Sequence, residues 1–165
     1  MTEAAQANPQ QNAQPVFNIE KLYVKDMSLE VPNAPQIFLD RDTPQIDVQL
    51  HSEAAAVEDG IYDVTVTATV TAKVADKSKV LFLIEAKQAG IFQVRNLPAG
   101  EIETVLAVVC PNILYPYLRE VVSDMSIRAG FAPVMLNPIN FEAIFLQQKQ
   151  QSQAQAPAAE EVVKH

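Results

Sequence analysis

Cys110-Pro111-Asn112-Ile113-Leu114-Tyr115-Pro116-Tyr117-Leu118-Arg119-Glu120 is the stretch on which the reading of this chain turns. Two prolines stand five residues apart in a strongly apolar, otherwise helix-like segment. Proline lacks a backbone donor, and its ring clashes with the preceding turn of a helix. The spacing predicts a long helix that is interrupted and restarted here, with Asn112 and the two tyrosines packed around the interruption. Cys110 is the single cysteine of the chain, so no internal disulfide is available. Val108, Val109 and Pro111 offer it packing and no base, which makes it a buried structural thiol rather than a nucleophile.

Upstream of this segment the pattern is that of strands. Tyr62, Val64, Val66, Ala68, Val70, Ala72 and Val74 alternate with Asp63, four threonines and Lys73, the clearest strand in the chain. Before it, Ile46, Val48 and Leu50 alternate with Asp47 and Gln49. The first strand carries Phe17, Ile19, Tyr23, Met27, Leu29 and Val31 on one parity, with Lys21 and Lys25 as exceptions. Val80 to Ile84 is continuously apolar and leads into a fourth strand ending near Phe92. Asp59-Gly60 and Asp76-Lys77-Ser78 supply hairpin turns on either side of the third strand. Strands two to four therefore form a meander, and the longer link through Gln36 to Thr43 implies a Greek-key crossover.

Downstream, the helix resumes through Leu118, Val121, Val122 and Met125 and ends near Gly130. Asn137-Pro138 resembles an N-cap followed by an N1 proline, opening a short helix with Phe141, Ile144, Phe145 and Gln148 on one side. Strands first and helices last give an α+β fold: a four-stranded antiparallel sheet with a Greek-key connection, a long interrupted helix and a short C-terminal helix. The boundaries are a disordered N-terminal tail over 1–15, one domain over 16–148 and a disordered C-terminal tail over 149–165, the tails being polar and low in complexity.

Composition excludes several functions. A net charge of -8 with a pI near 4.7 argues against nucleic-acid binding, which needs clustered Lys and Arg. No run of eighteen apolar residues suggests a membrane span, and the Gln/Asn/Ala-rich start is unlike a signal peptide, so the expected compartment is the cytosol. His51 and His165 are the only histidines, and no carboxylate spacing suggests a metal site or a nucleophile–base pair. No enzyme, cofactor or metal is expected.

Four separated segments resemble the SecB family of bacterial protein-export chaperones. They are Val31-Pro32-Asn33-Ala34-Pro35-Gln36-Ile37-Phe38, Ala89-Gly90-Ile91-Phe92, Cys110 to Glu120, and Asn137-Pro138-Ile139-Asn140-Phe141-Glu142-Ala143-Ile144-Phe145. They occur in the family's order and span the domain; Ala89 stands where the family usually has a second glycine. The resemblance implies a homotetramer, a dimer of dimers, that holds unfolded precursor proteins and hands them to the motor SecA. Apolar residues on both parities of strand four, and on more than one stripe of Ile102 to Val109, independently call for cover by another subunit. Pro35, Ile37 and Phe38 with Phe141, Ile144 and Phe145 would then wall a client groove. Asp26 and Glu30 on strand one, with Leu83 and Glu85 on strand four, match the family's acidic docking surface for SecA. The alternative is an adaptor that binds one folded partner through the acidic sheet face.

Overall fold

The computed structural model describes residues 13–74 and 79–155. β1 (Val16–Glu30), β2 (Pro44–Glu58), β3 (Ile61–Val74) and β4 (Val80–Arg95) form one antiparallel sheet in the order β1-β4-β3-β2. That order is the Greek-key arrangement read from the sequence. Between β1 and β2 lies a 3-10 turn, Gln36–Leu39. The helical part is α1 (Ala99–Thr104), a π turn (Val105–Val109), α2 (Cys110–Arg128) and α3 (Phe141–Gln155).

β3 shows why the sheet has two different faces. Val64, Val66, Ala68, Val70, Ala72 and Val74 are buried, and their cross-strand partners Phe82, Ile84 and Ala86 on β4 lie beneath the same helix. Leu114, Leu118 and Val122 of α2 are fully buried against this inner face. The intervening threonines and charges form the outer face. By length and hydropathy, Ala99–Arg128 would suffice to cross a membrane, but here it is the core helix.

The prolines act less drastically than the sequence suggests. The interruption takes the form of the π turn, in which the Cys110 N–H reaches back five residues to the Val105 carbonyl. Widening the helix just before Pro111 relieves the clash between the proline ring and the preceding turn. Pro116 lies inside α2 on the exposed side, where water can satisfy the Asn112 carbonyl that loses its donor. Asn112 and Tyr117 also face outward; only Tyr115 is buried.

β1 departs from simple alternation. Register shifts between Ile19 and Lys21, and between Val24 and Asp26, insert one residue each, Glu20 and Lys25. Phe17, Ile19, Leu22, Val24, Met27 and Leu29 all oppose inner-face residues of β4, whereas Tyr23 opposes Ala89 on the outer face. The expected placement of Tyr23 with the apolar set is therefore wrong; of the two lysine exceptions, Lys25 is itself an inserted residue and Lys21 follows one. Tyr23 Oη donates to Asp63 Oδ1 at 2.8 Å. Lys25 pairs with Asp63 as well and reaches Thr65 Oγ1 at 3.3 Å. These side chains cross over Ala89, which is fully buried and has no left-handed backbone. A β-carbon is thus accommodated where the family usually has glycine.

The Asp59-Gly60 hairpin forms as expected, with Gly60 at φ 71°. The second hairpin turn, Asp76-Lys77-Ser78, lies outside the described residues, as do 1–12 and 156–165 of the expected tails. α3 continues beyond the expected boundary at Gln148 to Gln155, aided by Lys149, which pairs with Glu103 at 3.2 Å and lies 4.6 Å from the Phe145 ring.

Cys110 is fully buried, as expected, and burial pushes its thiol pKa up to about 12. The folded-state pKa lies above the unfolded one, so the thiol's contribution to stability is whole below about pH 9 and is lost as pH rises from there toward 12. The urea midpoint should fall more steeply between pH 9 and 11 in the natural protein than in Cys110→Ala. Parallel curves would contradict this.

Candidate functional site: an inner-face groove and an outer acidic patch

Two open cavities lie along the inner side of β2. The larger, roughly 730 Å³, is walled by Ile46, Val48 and Leu50 on one side and by residues 131–137 and Ile139 on the other, with Phe82 and Tyr115 beneath. Ile46, Val48 and Leu50 oppose Ala72, Val70 and Ala68 of β3, which confirms that the cavity occupies the inner face. The smaller, about 360 Å³, lies between residues 50–54 of β2 and Leu106, Phe141, Ile144, Phe145 and Gln148. Leu50 and Ile139 line both, so the cavities adjoin and form one groove.

The far wall is built by the end of α2. Gly130, at φ 89°, terminates the helix; its N–H bonds the Ile127 carbonyl at 2.9 Å, and the Phe131 N–H bonds that of Ser126 at 3.2 Å. The chain then runs back along the groove, held where the Val134 N–H donates to Ser126 Oγ at 2.9 Å. Further on, the Tyr115 hydroxyl donates to the Asn137 carbonyl. Asn140, not Asn137, caps α3: its Oδ1 accepts the Ala143 N–H at 2.9 Å. The Asn-Pro pair fits the cap pattern locally, but its carbonyl is taken by a tertiary bond.

The six expected groove residues do not form a single wall. Ile37 is 1% exposed and belongs to the core. Phe141 and Phe145 are mostly buried but line the smaller cavity, with Ile144 exposed at its rim. Pro35 is exposed on a cis peptide bond with Ala34. Phe38 is half exposed and stacks on Phe131, centroids 5.4 Å apart; Phe131 in turn meets Phe82 at 5.0 Å. Phe38 thus packs on Phe131, a wall residue of the larger cavity, without lining that cavity itself. Sequence reasoning missed Ile46, Val48 and Leu50 as walls, although their alternation with polar residues was visible. It also missed residues 131–139, which carry no periodicity.

The four expected docking residues do come together, all on the outer face. Glu30 lies directly across from Leu83, Ser28 from Glu85, and Asp26 from Lys87. Asp26 and Glu30 are exposed, while Leu83 and Glu85 are half-buried beside them. Lys87, not anticipated, lies 3.8 Å from Glu85 and offsets part of the negative charge. The bulge at Lys25 matters here, because it sets which residues of the last third of β1 face outward. Among the described residues no cluster of His, Cys, Asp and Glu has metal-site geometry.

This α+β protein thus carries a mainly apolar groove on one face of its sheet and three carboxylates, Asp26, Glu30 and Glu85, on the other. Comparison with known proteins makes the class specific. A family model described as "Preprotein translocase subunit SecB" matches residues 10–152. The protein-export protein SecB of Nitrosomonas eutropha is 59% identical over 149 residues, covering 90% of this chain and 92% of that protein. That of Aromatoleum aromaticum is 58% identical over 149 residues, covering 90% of each. The solved structure of the SecB-like chaperone of Mycobacterium tuberculosis, in complex with a ChAD peptide from an antitoxin, shares the fold at 18% identity. It has a TM-score of 0.62 and covers 75% of this chain and 91% of that one. The chain belongs to the SecB family, and its function is that of a protein-export chaperone.

Proposed function

We propose that this chaperone is a cytosolic holdase that binds unfolded precursor segments in the inner-face groove and delivers them to SecA through the outer acidic patch. The observation that carries this reading is the pair of adjoining open cavities, lined mainly by apolar side chains along the inner side of β2. Burying one client side chain yields roughly 1.5–3 kcal/mol, and immobilising the extended chain consumes much of that. Useful affinity then requires several contacts along one client, linked by avidity, which a long groove supplies and a closed pocket does not.

The same arithmetic favours several grooves in one particle, and two uncovered apolar surfaces support a homotetramer arranged as a dimer of dimers. Phe17, Ile19, Val24 and Met27 lie exposed on the inner side of edge strand β1, beyond the reach of α2. Val109, Tyr117 and Ile127 are exposed along the side of the helix away from the sheet. Apolar area of this kind is characteristic of subunit contacts.

A refolding assay tests the proposal. The chaperone in stoichiometric excess should slow the refolding of a denatured, apolar-rich precursor in proportion to its concentration. Native mass measurement of the same sample should give four chains per particle. Refolding at the unassisted rate, or a monomer at micromolar concentration, would contradict it.

A further inference from the structure

We propose that the Tyr115 hydroxyl is the positioning group of the client groove: by holding the Asn137 carbonyl it fixes the start of α3 and keeps the two cavities joined as one channel. The inference rests on the groove's being the client site.

Tyr115 belongs to the rigid part of the molecule. It directly follows Leu114 and precedes Leu118 by about one turn, both fully buried in α2, and is itself 6% exposed. Its ring lines the larger cavity, and it meets Phe141 edge-on, centroids 5.7 Å apart. Phe141 lines the smaller cavity. The hydroxyl bonds the Asn137 carbonyl, two residues before Ile139, the side chain shared by both cavities, and three before the cap residue Asn140. One phenol therefore lines the larger cavity, packs against a wall residue of the smaller one and holds the segment between them. Burial raises its pKa, against a smaller opposing pull from Arg119, so it stays a neutral donor through the physiological range.

The bond has a natural comparator. Upstream, Ser126 Oγ accepts from the Val134 N–H at 2.9 Å and donates to the Ser123 carbonyl at 2.8 Å. It holds the far end of the same wall but touches neither α3 nor the smaller cavity. Losing that bond should loosen the larger cavity alone.

Tyr115→Phe removes one oxygen and keeps the ring contacts. In the assembled full-length protein, dissociation of a fluorescently labelled, urea-unfolded apolar client should become about three- to tenfold faster, the range of one net hydrogen bond. Without client, amide exchange at Ala143 to Phe145 should accelerate by a similar factor while β3 and β4 amides stay unchanged. Ser126→Ala should accelerate exchange at Val134 and leave α3 as it was. The proposal is overturned if Tyr115→Phe leaves α3 exchange unchanged, if it releases client at the natural rate, or if exchange rises uniformly across the sheet. Should the natural protein bind no unfolded client, the function reading fails while the exchange arm still decides the positioning role.

Discussion

Asp26→Lys combined with Glu85→Lys is expected to weaken the proposed docking to SecA severely and to leave client binding intact. The two carboxylates lie on the outer face of β1 and β4, separated from the groove by the thickness of the sheet. Each reversal removes an attraction and adds a repulsion toward a basic partner segment, and like-charge contacts at an interface cost several kcal/mol. The pair should therefore weaken docking by roughly 100-fold or more at low salt, with the natural interaction itself declining as salt rises. Surface plasmon resonance against immobilised SecA, run beside a client-binding assay, checks both halves. Loss of client binding along with docking would mean that the assembly had failed rather than the patch. Lys87→Glu, which removes the lysine beside Glu85, should act in the opposite direction.

Leu50→Glu gives the second large effect, at the place where the two cavities meet. It removes an apolar contact of roughly 1.5–3 kcal/mol and puts a carboxylate where a client side chain must lie against it. Client affinity should fall about 10- to 100-fold. Leu50 is only half-buried on an edge strand, so the sheet should persist and docking to SecA should be unchanged. Client titration monitored by fluorescence anisotropy reads the loss directly; undiminished affinity would place the client path elsewhere.

These two sites were not equally legible in the sequence. The proposed docking residues follow from strand parity plus a family resemblance, and both are local: Asp26 with Glu30, and Leu83 with Glu85, share a face because they are an even number of residues apart on one strand. The bulge that orients them is not local. Lys25 looks like a break in the pattern, and only pairing with β4 shows it as an inserted residue. The groove was legible in its aromatic floor but not in its walls. Aromatic residues near the last helix drew attention because of their size, yet Phe141 and Phe145 are largely buried, and Ile37 wholly so. The walls come from an edge strand and from an irregular return segment whose path is set by Gly130, Ser126 and Tyr115 rather than by any repeat of its own. Tyr115 belongs to the very segment that identifies the family. Read alone, that segment is purely architectural, because its effect on the groove passes through a backbone carbonyl 22 residues further on.

The most direct measurement of the central claim compares two states of one client. A slow-folding, apolar-rich precursor is mixed with the natural protein once while unfolded and once after folding is complete, and complex formation is followed by calorimetry. Several apolar side chains are accessible only in the unfolded state, each contributing about 1.5–3 kcal/mol, so binding to that state should be tighter by roughly 100-fold or more. Equal or stronger binding to the folded form would contradict the account and would instead describe an adaptor that recognises a finished surface.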